Sequence, residues 1–292
     1  MLYEEKPVAG VLLMCSAVFF FTLIDSSAKW LALIGFVPLQ VTFIRYLGHF
    51  LTSLAFFLPK EGITIFVSER PQLQFLRAII LMVGTFFNFL ALNYLPLNVT
   101  IAIFFASPLV VTILSIPILH EKVQVRQILA VLFGFGGVLI IIQPDEIGFR
   151  YEMIYSLIAL LCASMYFILT RMVAGKDRNS TSQIYSSLVP TLFLLPFIFD
   201  NWIWPDNWRD FLIMGLMGLA ATLGHSFTTI AHRLAKASSL APVIYVQLVF
   251  MTVLSWFIFG DLPTSTIALG TLIIIFSGLY VFRLENTFTK ES

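Results

Sequence analysis

The chain has 292 residues, of which 59% are hydrophobic and 11% charged, with a formal net charge of +1; its mean hydropathy is +0.94. Soluble domains average about 45–50% apolar and about 25% charged residues, so this chain lacks the polar surface to cover a globule in water. That excludes a soluble enzyme, a nucleic-acid binder and a disordered protein, and the 30 phenylalanines point to lipid as the main solvent.

A helix crosses a bilayer with about 20 mostly apolar residues. Polar and Pro/Gly punctuation divides the chain into ten such segments, 8–33, 37–58, 73–93, 97–118, 125–143, 152–173, 184–203, 210–231, 240–258 and 264–283. The first is expected to be retained rather than cleaved: its leader is acidic (Glu4, Glu5), its apolar run is long, and no small-residue cleavage site follows. Connections are short, so no extramembrane domain is expected. Cys15 and Cys162 lie singly inside apolar runs and read as small buried hydrophobes.

Ionisable groups at bilayer depth are costly and usually face a cavity or a partner. Span 1 carries Thr22, Asp25, Ser26 and Lys29; span 2 carries Thr42, Arg45, His49 and Thr52. Asp25 and Arg45 are each ten residues from Gly35 in the hairpin between them. At 1.5 Å per residue both stand ~15 Å from that turn, so an Asp25–Arg45 pair is expected, either as a tie between spans 1 and 2 or as a charge that meets substrate. Span 3 offers Asn88, and span 6 Tyr166 and Thr170; span 8 offers Thr222, His225, Thr229 and His232. On spans 4 and 9, Ser107 and Ser115 match Gln247 and Ser255 in spacing. Each of these polar residues reads equally as a bundle-packing hydrogen bond or as a substrate contact. His120-Glu121, at the end of span 4, reads as a cap or a hairpin-positioning pair.

Ten spans put both termini on one side. With the termini in the cytoplasm, 13 of the 17 basic residues, Arg77 among them, fall in or beside cytoplasmic segments, whereas the outer loops hold Arg150, Arg209 and the acids Asp145, Glu146, Asp200, Asp206, Asp210 and Asp261. The positive-inside rule therefore orients the chain with cytoplasmic termini.

Shifted by 140 residues, Gly84–Leu139 aligns without a gap on Gly224–Leu279, with identities at Gly84/Gly224, Phe87/Phe227, Ala91/Ala231, Thr112/Thr252 and Ser115/Ser255, and Glu121 meeting Asp261. Two five-span repeats follow, 1–143 and 152–284. An odd number of spans inserts the second repeat upside down, as in transporters whose substrate site lies between inverted halves near the midplane.

The run ASPLVVTILSIPILHEKV (Ala106–Val123), the glycine-rich GFGGVLIIIQP that follows, and the echo FMTVLSWFIFGDLP (Phe250–Pro263) resemble the EamA-type branch of the drug/metabolite transporter superfamily. The resemblance spans nearly the whole chain. It implies an all-α integral membrane fold, with ten transmembrane helices as two inverted five-helix repeats around a central cavity. It also implies a multi-pass protein of the cytoplasmic (inner) membrane that moves small organic solutes. Some members resembling this chain are importers of S-adenosylmethionine or riboflavin, and no residue pattern here selects among substrates.

Rival classes fare poorly. Gly224-His225-Ser226-Phe227-Thr228 lacks the second glycine of a nucleophile elbow; no DDxxD or HExxH cluster offers metal or pyrophosphate chemistry; no charged ring or filter loop suggests a channel. The expected function is secondary transport by alternating access, with no catalytic residues, metal ligands or cofactor. The candidate substrate-binding residues are Asp25, Arg45, His49, Asn88, Ser107, Tyr166, His225, Thr229 and Gln247. After Asp25 is paired, a base remains for a substrate carboxylate, which favours an amino acid or related zwitterion; a bulky cationic or heterocyclic metabolite is the alternative. Expected partners are a small-molecule substrate and membrane lipid, with no nucleic acid; a homodimer is compatible with this reading.

Overall fold

The computed structural model describes residues 6–95, 103–142, 150–198, 202–259, 265–266, 268–277 and 280. Asp145, Glu146, Asp200, Asp261, the start of span 4 and both chain termini, all used in the sequence reading, lie outside the described residues. Every regular element among the described residues is helical: α1 Pro7–Leu33, α2 Pro38–Glu61, α3 Pro71–Tyr94, α4 Ser107–Leu119, α5 Val125–Ile142, α6 Met153–Val173, α7 Asn179–Leu194, α8 Trp208–Leu234, α9 Ala237–Leu240 and α10 Val246–Phe259, then α11 Ala268–Ser277. Prolines open α1, α2 and α3, where a missing N–H costs nothing. A helix satisfies its own backbone, which is what lipid demands. Six helical stretches are long and apolar enough to cross a membrane, and α4, α5 and α11 are shorter apolar helices. The chain is a multi-pass membrane protein.

Among the described residues, the seventh and ninth spans depart from the hydropathy reading. The seventh begins at Asn179 rather than 184, because its polar first turns point inward: Ser180, Thr181, Ser182 and Gln183 are all buried against the rest of the bundle. A polar turn that faces protein escapes the cost of facing lipid, so hydropathy misses it. The ninth is not continuous. α9 gives way to a 3₁₀ stretch at Ala241–Tyr245, which contains Pro242, before α10 begins. The missing proline N–H and its ring break the α-helical ladder there.

Helix α8 organises the bundle. It packs antiparallel along α1 and parallel along α2, whereas α1 and α2 touch each other little despite their tight hairpin. Lys6 N–H donates to Leu234 O at one end of the α1–α8 pair (3.0 Å), and Trp30 Nε1 donates to Asp210 Oδ1 at the other (3.3 Å). α2 crosses α8 at Gly48 and Gly218; a Cβ on Gly218 would lie 2.5 Å from Gly48 Cα, so only glycine permits this approach. α3 packs along α6, and α7 packs on α2 and α3. Large apolar side chains such as Leu33, Ile113, Leu129, Phe257 and Phe276 face outward, as a lipid-facing surface requires. Trp204 and Trp208 are exposed beside the Trp30–Asp210 contact, where aromatic residues anchor a membrane boundary.

Candidate functional site

The polar stripes of α2, α3, α6, α7 and α8 converge on one buried cluster. Arg45 and His49 stand one turn apart on α2, and both are buried. Arg45 Nη1 donates to Thr85 Oγ1 (2.8 Å) and Nη2 contacts His225 Nε2 (3.1 Å). Guanidinium is always a donor, so His225 Nε2 is the acceptor and the ring proton sits on Nδ1. That nitrogen donates to the Tyr166 hydroxyl at 2.8 Å. Thr85 gives its own proton to Leu81 O (2.9 Å), which leaves the Tyr46 hydroxyl to donate to Thr85 (2.9 Å).

The same Tyr166 oxygen accepts from Arg77 Nη2 (3.4 Å). Arg77 Nε donates to Thr170 Oγ1 (3.0 Å) and Nη1 to Gln74 Oε1 (2.8 Å). Its guanidinium stands 5.1 Å from the Tyr166 ring centroid, a cation–π distance. Gln74 Nε2 passes the chain on to Asp177 Oδ2 (2.8 Å), which also accepts from Ser68 Oγ. Arg45, His225, Tyr166, Arg77, Gln74 and Asp177 thus form one hydrogen-bonded line from the bundle interior to its Asp177 end.

His49 joins this line sideways. Its ring stacks on His225 at 5.3 Å and 12°, and its Nε2–H donates to Gln183 Oε1 (3.1 Å). Gln183 Nε2 donates to Asn179 Oδ1 and to Thr229 Oγ1, and Thr229 donates to His225 O (2.9 Å). Phe21 covers the other side of His225 at 4.9 Å. Arg45 Nε and His49 Nδ1 are buried without a hydrogen-bond partner.

Arg45, His49, Tyr166, His225 and Thr229 therefore meet. The expected Asp25–Arg45 pair does not form: Asp25 Oδ2 accepts from Gln247 Nε2 on α10 (2.8 Å). α8 packs along both α1 and α2, which touch each other little; Arg45 turns to Thr85 and His225 while Asp25 turns to α10, and their charges act on each other only across space. Ser107 is buried at the start of α4, with its Oγ unpartnered. Asn88 is half-buried on α3 and belongs to none of these hydrogen bonds among the described residues. His232 is apart from the cluster, stacked on Phe167 at 5.7 Å. Sequence reasoning missed Gln183, Tyr46, Thr85 and above all Arg77, which is fully buried rather than a base of the membrane edge. Its position inside the predicted span 73–93, three residues after Gln74, was the available signal.

At the Asp177 end, Glu121 caps a helix of the other half of the chain. Its Oε1 accepts from Ala237 N (2.9 Å), and its Oε2 from Ser238 N (3.0 Å) and Ser238 Oγ (2.6 Å). Arg171 Nε lies 3.7 Å from Oε1, and Arg171 Nη1 also donates to His232 O.

This multi-span helical bundle, with its cationic, hydrogen-bonded interior, is a membrane transporter of the kind that moves small metabolites. More narrowly, the chain belongs to the EamA-like transporter family, which it matches twice, over residues 8–143 and 150–283. It is 27% identical over 295 residues to the riboflavin transporter of Vibrio cholerae, covering 99% of this chain and 97% of that one. It is 25% identical over 247 residues to the S-adenosylmethionine uptake transporter of Rickettsia prowazekii, covering 85% of this chain and 83% of that one. A solved crystal structure, described only as that of a protein, superposes with a TM-score of 0.81 at 18% identity, covering 96% of this chain and 99% of the other; that likeness is one of fold.

Proposed function

We propose that the chain is a secondary transporter of the cytoplasmic (inner) membrane that moves a small zwitterionic metabolite, an amino acid or a relative of one, by alternating access. The observation that carries this reading is the pair of buried guanidiniums. Arg45 and Arg77 both lie in the bundle interior, and neither has a carboxylate within hydrogen-bond reach among the described residues. A buried guanidinium that touches no carboxylate is costly, even with the Asp25 charge acting on Arg45 across space, and a substrate carboxylate in contact would offset that cost. Arg45 Nε offers that carboxylate a free donor, and His49 Nδ1 is a free acceptor for the substrate's ammonium N–H. Asp25, held by Gln247, supplies a separate acidic pole for a substrate cation.

Alternating access rests on two inverted five-span repeats, 1–143 and 152–284, with ten spans and both termini cytoplasmic. Reciprocal contacts support this arrangement. A Cβ on Gly84 of α3 would meet Cys162 of α6, and one on Gly224 of α8 would meet Phe21 of α1; the glycines are 140 residues apart and their partners 141. The Asp177 end is then the cytoplasmic one.

A bulky cationic or heterocyclic substrate is the second reading. It is favoured by the names of the two relatives and by the Phe21 ring lying against His225. S-adenosylmethionine satisfies both readings, since it carries an amino-acid zwitterion and an aromatic base; riboflavin carries no carboxylate. Thermal melting of the purified chain with amino acids, S-adenosylmethionine and riboflavin separates them. Carboxylate-bearing compounds should stabilise the wild type and lose that effect in Arg45→Gln. Stabilisation by riboflavin alone would overturn the carboxylate reading in favour of the second. Reporter fusions at Ser292 and in the loop near Asp145 should lie on opposite sides; a shared side would defeat the inverted repeat.

A further inference from the structure

The Asp177 end carries a second polar feature that the transport site does not use. A cleft of 440 Å³ opens between the end of α4, the end of α6 and the start of α9, a size that suits a small organic ligand. Lys122 follows α4, Lys176 follows α6, and Lys236 precedes α9; all three line the cleft, as do Arg171 and Glu121. Glu121 brings one negative charge to the cleft, against the four cations Lys122, Arg171, Lys176 and Lys236. Its two oxygens are committed to Ala237 N, Ser238 N and Ser238 Oγ, with Arg171 beside them. No hydrogen bond or ion pair engages the ammonium of Lys122, Lys176 or Lys236 among the described residues. Between the cations the wall is apolar, formed by Ile118, Leu119 and Met172.

We propose that this cleft is a binding site for an organophosphate, separate from the interior cluster and independent of the substrate reading above. A phosphate is a compact multivalent anion that three lysines lining one cleft can hold well, since charge-assisted hydrogen bonds are the strong ones. The apolar wall takes the organic part of the ligand. Lys122 belongs to the first half of the chain, and Lys176 and Lys236 to the second, so the bound phosphate bridges the halves beside the Glu121 tie and holds this end closed. The same chemistry is presented by a soluble phosphate monoester and by the headgroup of an anionic phospholipid.

The test uses the full chain purified in a neutral detergent. Thermal melting is followed with glycerol 3-phosphate, with dihexanoyl phosphatidate and with sodium chloride at matched ionic strength, which controls for general screening. Lys122→Gln/Lys176→Gln/Lys236→Gln should melt like the wild type without ligand, because the three wild-type ammoniums hold no partner among the described residues. The expected result is a saturable rise in the wild-type melting temperature with at least one phosphate probe, lost in the triple variant. A rise with glycerol 3-phosphate assigns a soluble source; a rise with phosphatidate alone assigns a lipid one. Should the triple variant not fold, Lys176→Gln alone must weaken the response. No rise above the chloride control, or an equal rise in the lysine variants, overturns the site.

Discussion

The Tyr166 hydroxyl lies 2.8 Å from His225 Nδ1, and this one contact joins the guanidiniums of Arg45 and Arg77 into a single hydrogen-bonded chain. Tyr166 is on α6 and His225 on α8, so the contact also ties two helices through their buried faces. Tyr166→Phe keeps the ring under Arg77 but leaves the His225 Nδ1–H without an acceptor. An unsatisfied buried donor costs about 1–3 kcal/mol. The variant should melt measurably below the wild type and take up substrate more slowly, while Tyr155→Phe, outside the cluster, should do neither.

Arg77 makes three directed hydrogen bonds through three different nitrogens, to Thr170, Gln74 and Tyr166. Lysine keeps the charge but presents a point donor rather than a fork. Arg77→Lys should therefore be far from conservative, losing about 2–3 kcal/mol of stability as Gln74 and Tyr166 lose their partner. A denaturation series in detergent measures it. A lysine variant as stable as the wild type would mean that charge alone holds this part of the bundle.

Asp25 should be coupled to Gln247 through their hydrogen bond. A double-mutant cycle on Asp25→Asn and Gln247→Leu should give a coupling of about 1 kcal/mol, within the range for hydrogen bonds between membrane helices. Effects that merely add would mean that this contact does not hold α1 to α10.

The α2–α8 crossing should tolerate nothing larger than glycine at position 218. A Cβ there falls 2.5 Å from backbone atoms of Gly48, and backbone cannot swing aside as a long side chain does. Gly218→Ala should cost about 1–3 kcal/mol through overpacking. Gly215→Ala, three residues away with no atom within 4 Å of its added Cβ, is the control and should be neutral or mildly stabilising.

Glu121 should matter more than its position at a helix end suggests. Glu121→Ala removes the acceptor for two backbone N–H groups and one hydroxyl of α9, together with the carboxylate beside Arg171. Loss of a cap alone costs about 0.5–2 kcal/mol, and loss of the ion pair adds to it. Glu121→Gln, which keeps the oxygen but not the charge, should fall between alanine and the wild type. The measurement is thermal melting of the two variants side by side.

Hydropathy and charge in the sequence by themselves determined that this is a multi-pass helical membrane protein, and the motif runs at Ala106–Val123 and Phe250–Pro263 determined its family. Transfer into lipid depends on composition averaged over a turn or more, so it is readable without coordinates. Five of the nine candidate residues, Arg45, His49, Tyr166, His225 and Thr229, were legible because a polar side chain in a long apolar run stands out. Which of them touch was decided only in three dimensions. Counting residues from the hairpin set Asp25 and Arg45 opposite each other, but each turned to a different partner because α8 packs between their helices, and no local pattern encodes a neighbour 180 residues away. Arg77 and Gln183 were hidden for a related reason. Both lie near the ends of spans, where hydropathy treats a polar residue as membrane edge, and only the inward turn of α3 and α7 buries them. Pro242 is plain in the sequence, but that Glu121, more than a hundred residues earlier, holds the start of α9 was decided only by contact between the two halves of the chain.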